Sequence, residues 1–334
     1  MDKPISQQSS NKLNQKLNVV FMGTPHFAIP SLKALINSDL IDVVLVITQP
    51  DKPAGRGKKI QKPPVKELAE QHNIEVQQPL KLKEDQNLIN KLKELEPDLM
   101  ITAAFGHIIS QEIIDIPKWG IWNVHASLLP RWRGAAPINW SILKGDTKTG
   151  ITIMQTEKGL DTGPILSKAS TKITENDTAI SLTQALAQIG ANLLIQTIEQ
   201  NIQAPIKAQI QNEEEATHAP KLTKELGAFN FPESTKEELS RKIRALQPWP
   251  GCNFTFRNQS IKVHEIKLVQ EGSEEENLLK EKYIDNTKLE YLTIRNKKLY
   301  ASCKNGFVEL LIVQPPNKGK MDATAWFRGL KPTE

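Results

Sequence analysis

Apolar residues in the first part of the chain fall into short runs separated by segments of helical period. Residues 19–22, 41–48 and 99–104 are almost entirely apolar or β-branched, which is typical of strands covered on both faces. After the first run, apolar residues recur at helical spacing, at Ala28, Leu32, Leu35 and Ile36. Strands that alternate with helices predict an α/β fold built on a Rossmann-like parallel sheet.

The same patterns place the remaining elements. Helices are predicted over residues 65–72, 85–95, 135–144, 177–200 and 234–246, the fourth capped by Asp177 or Thr178 and the fifth by a Ser234 and Glu237 capping box. Strands are predicted around Val124 and over residues 74–76, 149–155 and 165–171. Beyond residue 250 the chain shows only short β-branched or alternating runs, over residues 252–256, 261–269, 291–294, 298–303 and 307–313. These runs predict a small antiparallel barrel.

Composition sets the domain count and excludes several classes of protein. A chain of 334 residues exceeds the size at which a single core usually stops growing. We expect a disordered leader over residues 1–16, one domain over 17–204, a linker over 205–229 that has no sustained period and carries Pro205, Pro220 and Gly227, and a second domain over 230–334. Cys252 and Cys303 are too few for a zinc site or a disulfide framework, so no metal is expected. The chain has no secretory signal and no long apolar run, which predicts a cytoplasmic protein.

Asn123 and His125 carry the first candidate chemistry. They lie two residues apart on a predicted strand, so their side chains point to the same face. An amide can donate to a developing oxyanion, and an imidazole can hold or release a proton near neutral pH. Asp161, in Gly-Leu-Asp-Thr-Gly, would be a charge partner for the imidazole. A capped strand end with a satisfied histidine, and an ordinary Asp turn, explain the same residues.

A long basic loop over residues 49–65 is the second candidate feature. It contains Lys52, Arg56, Lys58, Lys59 and Lys62 against a single acidic residue, Asp51, and is too rich in Pro, Gly and charge to form an element. Such a loop could bind phosphates, but a solvated surface is as good an interpretation. After the first strand only Gly23 is present instead of a Gly-x-Gly-x-x-Gly pattern, which removes the main support for dinucleotide chemistry.

Several longer segments resemble one family. Residues 127–138, Ser-Leu-Leu-Pro-Arg-Trp-Arg-Gly-Ala-Ala-Pro-Ile, resemble the signature of the folate-dependent formyltransferases, and their Arg-Trp-Arg-Gly-Ala-Ala-Pro form resembles the methionyl-tRNA formyltransferases. Residues 159–163 resemble the second catalytic segment of that family. Residues 216–225 resemble its linker, and residues 314–321 its C-terminal pattern. The resemblance spans about residues 19–321, although Ser110 stands where the family commonly has proline.

The resemblance implies transfer of a formyl group from 10-formyltetrahydrofolate to initiator methionyl-tRNA, by a formyltransferase domain followed by an OB-like barrel that binds tRNA. It implies catalytic roles for Asn123, His125 and Asp161. The implied folate-binding residues are Phe105, Gly106, Ile108, Ser127, Leu128, Leu129, Pro130 and Asp161. The implied tRNA-binding residues are Lys52, Arg56, Lys58, Lys59, Lys62, Lys318 and Lys320. We expect no metal, no membrane and a monomer.

Two other interpretations stay open from the sequence. The signature also fits another folate-dependent formyltransferase or a formyltetrahydrofolate hydrolase on the same scaffold, and a requirement for a tRNA-sized polyanion would distinguish these from a tRNA enzyme. The second interpretation is a tRNA-binding module that has kept the fold but has no catalytic activity. The presence of Asn123, His125 and Asp161 together weighs against it.

Overall fold

The computed structural model describes residues 16–54, 59–285 and 291–330. They form two compact units. The first contains the described residues up to Gly134 together with Thr149–Thr171 and Thr183–His218; the second contains Ala135–Lys148, Lys172–Leu182 and the described residues from Ala219 onward. The predicted leader lies outside the described residues apart from Lys16. The predicted division at residues 204 and 230 stays a prediction.

The first part of the chain alternates strands and helices, as predicted. In chain order these are β1 (Leu17–Gly23), α1 (Ile29–Ile36), β2 (Ile41–Ile47), β3 (Lys52–Ala54), β4 (Lys59–Gln61), α2 (Pro64–Gln71), β5 (Val76–Gln77), α3 (Gln86–Leu95), β6 (Leu99–Ala103), α4 (Gln111–Ile114), β7 (Ile121–His125), β8 (Arg133–Gly134), α5 (Pro137–Leu143), β9 (Lys148–Gln155), β10 (Ile165–Lys172), α6 (Ala179–Gln203) and β11 (His218–Ala219). Of the two predicted caps for α6, the Thr178 hydroxyl accepts from the backbone N–H of Ser181 at 3.1 Å.

Seven strands form the main sheet of the first unit, in the order β10, β9, β7, β6, β1, β2, β5. The five neighbouring strands β7, β6, β1, β2 and β5 are parallel, and β9 runs antiparallel to β7. The predicted Rossmann-like α/β fold is therefore confirmed, with a mixed sheet. Because β1 and β6 are central and parallel neighbours, their carboxyl ends meet at one edge, where open α/β sheets place ligand crevices.

The core of the first unit lies against these central strands. Val20 and Met22 of β1 are fully buried and pack with Leu88, Ile89 and Leu92, which lie on one side of α3. Asp85 caps that helix by accepting from the backbone N–H of Leu88 at 3.0 Å. The near-continuous apolar runs seen in the sequence are explained by this burial on both faces of the sheet.

The basic loop differs from the prediction because it contains an element. Strands β3 and β4 pair antiparallel, Lys52 with Gln61 and Ala54 with Lys59. Proline has no backbone N–H to donate. A ladder of only three residues on each strand needs few such donors, so Pro53 does not prevent β3 from pairing with β4. Arg56 and Lys58, both predicted to bind tRNA, lie outside the described residues.

The second part of the chain contains α7 (Lys236–Leu246), β12 (Cys252–Phe256), β13 (Gln259–Leu268), α8 (Glu274–Asp285), β14 (Leu292–Arg295), β15 (Lys298–Cys303), β16 (Gly306–Gln314), β17 (Met321–Asp322) and α9 (Ala323–Arg328). Strands β12, β13, β16, β15 and β14 follow one another in an antiparallel sheet, with β17 on β16. The predicted small β-rich domain is confirmed as this antiparallel sheet.

Two details of the second unit correct the sequence analysis. The capping box of α7 uses Thr235 and Glu238 rather than Ser234 and Glu237. The two patterns are offset by one residue, and Ser234 instead donates its backbone N–H to the Asn230 carbonyl. Helix α8 was not predicted. Its sequence is highly charged, and over residues 274–281, where burial is described, only Glu276 and Leu279 are buried.

Within the described chain, no helix is long and apolar enough to cross a bilayer. The same part of the chain contains no group of three or more His, Cys, Asp or Glu side chains arranged to hold a metal ion.

Candidate active site

Asn123 and His125 occupy the last half of β7 and face the same side of the sheet, as their spacing predicts. Thr102 of β6 is the register partner of Asn123, and its hydroxyl donates to Asn123 Oδ1 at 2.9 Å. Since the amide oxygen is taken, the Asn123 Nδ2 group is turned outward. It donates to Asp161 Oδ1 at 3.4 Å. Thr102 therefore fixes which end of the Asn123 amide is presented.

The tautomer of His125 follows from its partners. Its Nε2 lies 2.9 Å from the carbonyl oxygen of Trp132, which can only accept, so Nε2 carries a hydrogen. The other ring nitrogen, Nδ1, lies 3.6 Å from Asp161 Oδ2. In the neutral ring Nδ1 presents a lone pair, and in the imidazolium it presents a second N–H toward the carboxylate. His125 can thus exchange a proton only through Nδ1.

Asp161 is held by three neighbours in the loop between β9 and β10. Besides Asn123 and His125, the backbone N–H of Gly134 donates to Asp161 Oδ2 at 2.8 Å. The Asp161 side chain is 15% exposed and that of His125 is 6% exposed, so the pair is reached by solvent from the Asp161 side. The structure therefore brings Asn123, His125 and Asp161 together, as predicted.

The loops around this cluster adopt backbone conformations that non-glycine residues rarely use. Asp161 has φ 54°, Trp132 has φ 64° and Ala104 has φ 47°. Left-handed conformations of this kind cost free energy and concentrate at functional sites. Gly163 ends the Asp161 loop, and a Cβ there would lie 1.9 Å from the Gln155 carbonyl oxygen. The Asp161 loop is thus closely seated on the end of β9.

Residues 104–110, which follow β6, contain three of the predicted folate-binding residues. Phe105 is buried and its carbonyl accepts from Gln49 Nε2 at 3.3 Å. Gly106 has φ 78°, and Ile108 is 78% exposed. In the described chain, His107 Nε2 and Ser110 Oγ are buried polar atoms without a hydrogen-bond partner. The exposed Ile108 side chain is therefore the part of this segment that can contact an apolar ligand face, whereas the two polar atoms are buried.

The signature loop divides into supporting and accessible residues. Ser127 and Leu129 are fully buried: the Ser127 hydroxyl donates to the Arg131 carbonyl at 2.6 Å, and Leu129 packs in a small cluster with Met154 and Ile165. Leu128 and Pro130 are half-buried. Of these four predicted folate-binding residues, only the last two therefore present side-chain surface.

The described basic residues of the predicted tRNA-binding set are all exposed. Lys52 donates to Gln49 Oε1 at 3.2 Å, and Lys62 forms an ion pair with Glu70 at 2.6 Å. Lys59 lies on β4 in the first unit. Lys318 and Lys320 lie in the second unit, in the connection between β16 and β17.

Four groups of the site were not found by sequence reasoning. They are the Thr102 hydroxyl, the Trp132 carbonyl, the Gly134 N–H and Gln211, whose Nε2 donates to the carbonyl oxygens of Asp161 and Gly163 at 2.8 and 2.7 Å. Thr102 carried a signal, as a polar residue in an otherwise apolar strand. The two backbone groups and Gln211 carried none, because their roles depend on loop geometry.

The arrangement combines an outward amide donor, an imidazole with one usable nitrogen and a carboxylate. Such a set can stabilise a developing oxyanion and move one proton. Because none of these three groups is a hydroxyl or a thiol, direct attack by a substrate nucleophile suits the arrangement better than a covalent intermediate on the protein.

Comparison with known families and sequences gives one consistent result. Residues 16–198 match the model of the formyl transferase family, and residues 221–331 match the formyl transferase C-terminal domain. A methionyl-tRNA formyltransferase of Clostridium acetobutylicum is 42% identical over 313 residues, covering 94% of this chain and 96% of the relative. One from Clostridium perfringens is 46% identical over 260 residues, covering 78% of this chain and 83% of the relative.

Solved structures share the fold at lower identity. An N-formyltransferase from Helicobacter canadensis, in complex with folinic acid and dTDP-3-aminofucose, superposes with a TM-score of 0.63 and 19% identity, covering 90% of this chain and 100% of that one. HypX from Aquifex aeolicus, in complex with tetrahydrofolic acid, gives a TM-score of 0.58 and 16% identity, covering 94% of this chain and 47% of that one. At these identities the likeness concerns the fold.

Proposed function

This chain belongs to the formyl transferase family, and we propose that it transfers the formyl group of 10-formyltetrahydrofolate to the α-amino group of methionine on initiator methionyl-tRNA. The observation that supports this most directly is the meeting of Asn123, His125 and Asp161 at the carboxyl edge of the sheet. The relatives that carry the name methionyl-tRNA formyltransferase match nearly the whole chain, including the β-rich second unit.

The co-substrate supplies the formyl carbon as electrophile and a folate nitrogen as leaving group. Residues 104–110, Leu128 and Pro130 would bind its ring system, and the exposed Ile108 side chain would pack against the ring. The Asn123 Nδ2 group has two N–H donors, of which one points to Asp161. The second would donate to the formyl oxygen as negative charge develops there. Loss of such a donor typically costs about 2.7 to 4 kcal/mol in the barrier.

His125 and Asp161 would handle the proton that the attacking amine must lose. His125 Nδ1 is the ring nitrogen that can exchange a proton, and Asp161 Oδ2 lies 3.6 Å from it. In the charged ring Nδ1–H would also donate toward the oxyanion beside Asn123. Asp161 would balance the imidazolium charge and accept the amine proton through water.

Recognition of tRNA would rest on basic residues in each unit. Lys52 and Lys59 lie on the hairpin of the first unit and Lys62 follows it; Arg56 and Lys58 belong to the same predicted basic loop. Lys318 and Lys320 lie in the second unit. The net charge of +5 supports a polyanionic partner, because Lys and Arg that neutralise phosphates release bound counterions.

We place the enzyme in the cytoplasm as a monomer. Cys252 and Cys303 are free thiols, and Cys252 is buried. Burial raises the pKa of the Cys252 thiol to about 12. Free rather than disulfide-bonded cysteines are typical of a reducing compartment.

Single-turnover formylation tests the assignment. The purified chain is mixed with 10-formyltetrahydrofolate and, in parallel, with initiator methionyl-tRNA, elongator methionyl-tRNA, free methionine or an amino sugar nucleotide. We expect rapid formylation of the initiator alone. Transfer to the sugar amine or to water would move the assignment to another enzyme on this scaffold. Binding of tRNA with no transfer to any acceptor would favour a non-catalytic module.

A further inference from the structure

Gln211 joins the Asp161 loop to a buried arginine. Its side chain is 5% exposed. Its Nε2 group donates to the carbonyl oxygens of Asp161 and Gly163, at 2.8 and 2.7 Å, and its Oε1 accepts from Arg133 Nε at 3.0 Å. The residue comes from the segment that sequence analysis assigned to a linker, yet it contacts the backbone of the Asp161 loop.

The partners of Gln211 leave its amide one orientation. Reversing the amide would set Oε1 against two carbonyl oxygens and the NH₂ group against the Arg133 Nε–H. Arg133 is 2% exposed and is itself fixed by a bidentate pair with Glu213, with two contacts of 2.8 Å. This pair holds the pKa of Glu213 below its ordinary value through the hydrogen bond from Arg133. The chain of contacts therefore runs from Glu213 through Arg133 and Gln211 to Asp161.

The same segment supports the other partner of His125. The Thr217 hydroxyl accepts from the Trp132 N–H at 2.9 Å, and the Thr217 carbonyl accepts from the Arg133 N–H at 2.8 Å. The carbonyl of Trp132 in turn accepts from His125 Nε2. Residues 211–217, which we term the supporting segment, thus hold both the Asp161 loop and the carbonyl that fixes the His125 ring.

We propose that Gln211 is a positioning residue, which sets the distance between Asp161 and His125 by binding the backbone carbonyl oxygens of Asp161 and Gly163. Two hydrogen bonds from one amide are well suited to this. Asp161 has a left-handed backbone with φ 54°, a conformation that costs free energy in a non-glycine residue and persists only when the surrounding structure holds it. The catalytic consequence rests on the proposed function, whereas the geometric consequence for His125 does not.

The test compares Gln211→Glu with Gln209→Glu. The first keeps the size of the side chain but replaces both N–H donors with an oxygen that faces the two carbonyls. The second makes the same chemical change at an exposed position, where the backbone pairs with Ile165. We expect Gln211→Glu to lower kcat about a hundredfold, the cost typical of a small misplacement of a reacting group, and Gln209→Glu to leave it near wild type.

Two readouts separate positioning from general damage. If Gln211 acts through Asp161, Gln211→Glu lowers kcat in the wild type but adds nothing in an Asp161→Ala background. The ring nitrogen resonances of His125, assigned by their loss in His125→Asn, shift in Gln211→Glu in the same direction as in Asp161→Ala. An equal loss of kcat in both backgrounds, or unchanged His125 resonances, would overturn the proposal.

If Gln211→Glu does not fold, Glu213→Gln replaces it. Glu213 is 71% exposed, so its substitution removes a charge from the Arg133 pair without disturbing a core. A smaller loss of kcat that disappears in the Asp161→Ala background supports the proposal, and a loss that persists there contradicts it. Should the wild type transfer no formyl group, the His125 resonances still decide whether Gln211 positions Asp161, independently of the reaction.

Discussion

Asp161 Oδ2 lies 3.6 Å from Nδ1 of His125 and at the same time accepts the backbone N–H of Gly134 at 2.8 Å. The carboxylate is thereby anchored to the signature loop, while the His125 ring is anchored to the same loop through the Trp132 carbonyl. Both members of the pair therefore depend on one short segment, residues 132–134. A displacement of this segment would move acid and base together, whereas a displacement of the Asp161 loop would separate them.

Replacing Asp161 by asparagine should lower turnover while leaving substrate binding nearly intact. The new side chain would keep the shape of the carboxylate but lose the charge that balances a protonated His125. We expect Asp161→Asn to lower kcat by roughly 10² to 10⁴, the range attributed to general acid and base catalysis, with the Michaelis constant for tRNA within a few fold of wild type. Steady-state kinetics measures both, and Asp39→Asn, at an exposed position, is the control. Unimpaired kcat in Asp161→Asn would remove the carboxylate from the mechanism.

The Thr102 hydroxyl should matter for activity because it orients the Asn123 amide. Thr102→Val keeps the shape of the side chain and removes the donor to Asn123 Oδ1, so the amide can rotate and present oxygen instead of N–H. Thr149→Val is a matched control, because within the described chain the buried Thr149 hydroxyl has no hydrogen-bond partner and its loss should be neutral or stabilising. We expect kcat to fall about tenfold, the equivalent of roughly 1.4 kcal/mol, in the first variant only. Equal kcat values in the two variants would contradict the role of Thr102.

Local periodicity explains why part of this site could be predicted. Asn123 and His125 share a face because they are two residues apart on one strand, and that relation needs no tertiary information. Gln211 lies 50 positions from Asp161, and nothing in its neighbourhood in the sequence marks it as part of a site. The hairpin of β3 and β4 was missed because Pro and Gly usually indicate turns, although three paired residues a side suffice for a ladder. The catalytic role of Asp161 came from the resemblance. The residues alone offered it as a charge partner for His125, with an ordinary Asp turn as the alternative.

The hairpin should loosen in acid through Asp51. The Asp51 carboxylate accepts from Lys66 Nζ at 2.9 Å and from Gln78 Nε2 at 2.7 Å. These hydrogen bonds, chiefly that from Lys66, hold the pKa of Asp51 below its ordinary value of 3.8. Because the folded-state pKa is the lower one, the stabilisation is complete above pH 3.8 and is lost as the pH falls through the folded-state value.

The measurement is urea denaturation of wild type and Asp51→Asn over a range of pH at constant ionic strength. We expect the difference in free energy of unfolding between the two proteins to be constant near neutral pH and to shrink below pH 3.8. In a Lys66→Met background the difference should be smaller at every pH, since the main partner of Asp51 is gone. If the difference in free energy of unfolding grew in acid, the pKa of Asp51 would be raised rather than lowered in the folded state.

Contact with tRNA through the hairpin predicts a graded effect of its basic residues on salt dependence. Arg56→Ala and Lys59→Ala should each weaken tRNA binding and reduce the slope of log K against log salt by about 0.9, the contribution of one phosphate contact on a duplex. Lys62→Ala should have a smaller effect, because Lys62 is already paired with Glu70 at 2.6 Å and this pair raises its pKa.

Filter binding of initiator methionyl-tRNA across a salt series measures these slopes, with Lys33→Ala on the exposed side of α1 as a control for general charge. Formylation at saturating tRNA should stay near wild type in Arg56→Ala, because the Asn123, His125 and Asp161 cluster is intact. If Lys59→Ala and Lys62→Ala changed the slope equally, the Lys62–Glu70 ion pair would have to break when tRNA binds. If neither Arg56→Ala nor Lys59→Ala changed it, the hairpin would not contact phosphates, and the affinity for tRNA would have to come from basic residues elsewhere in the chain.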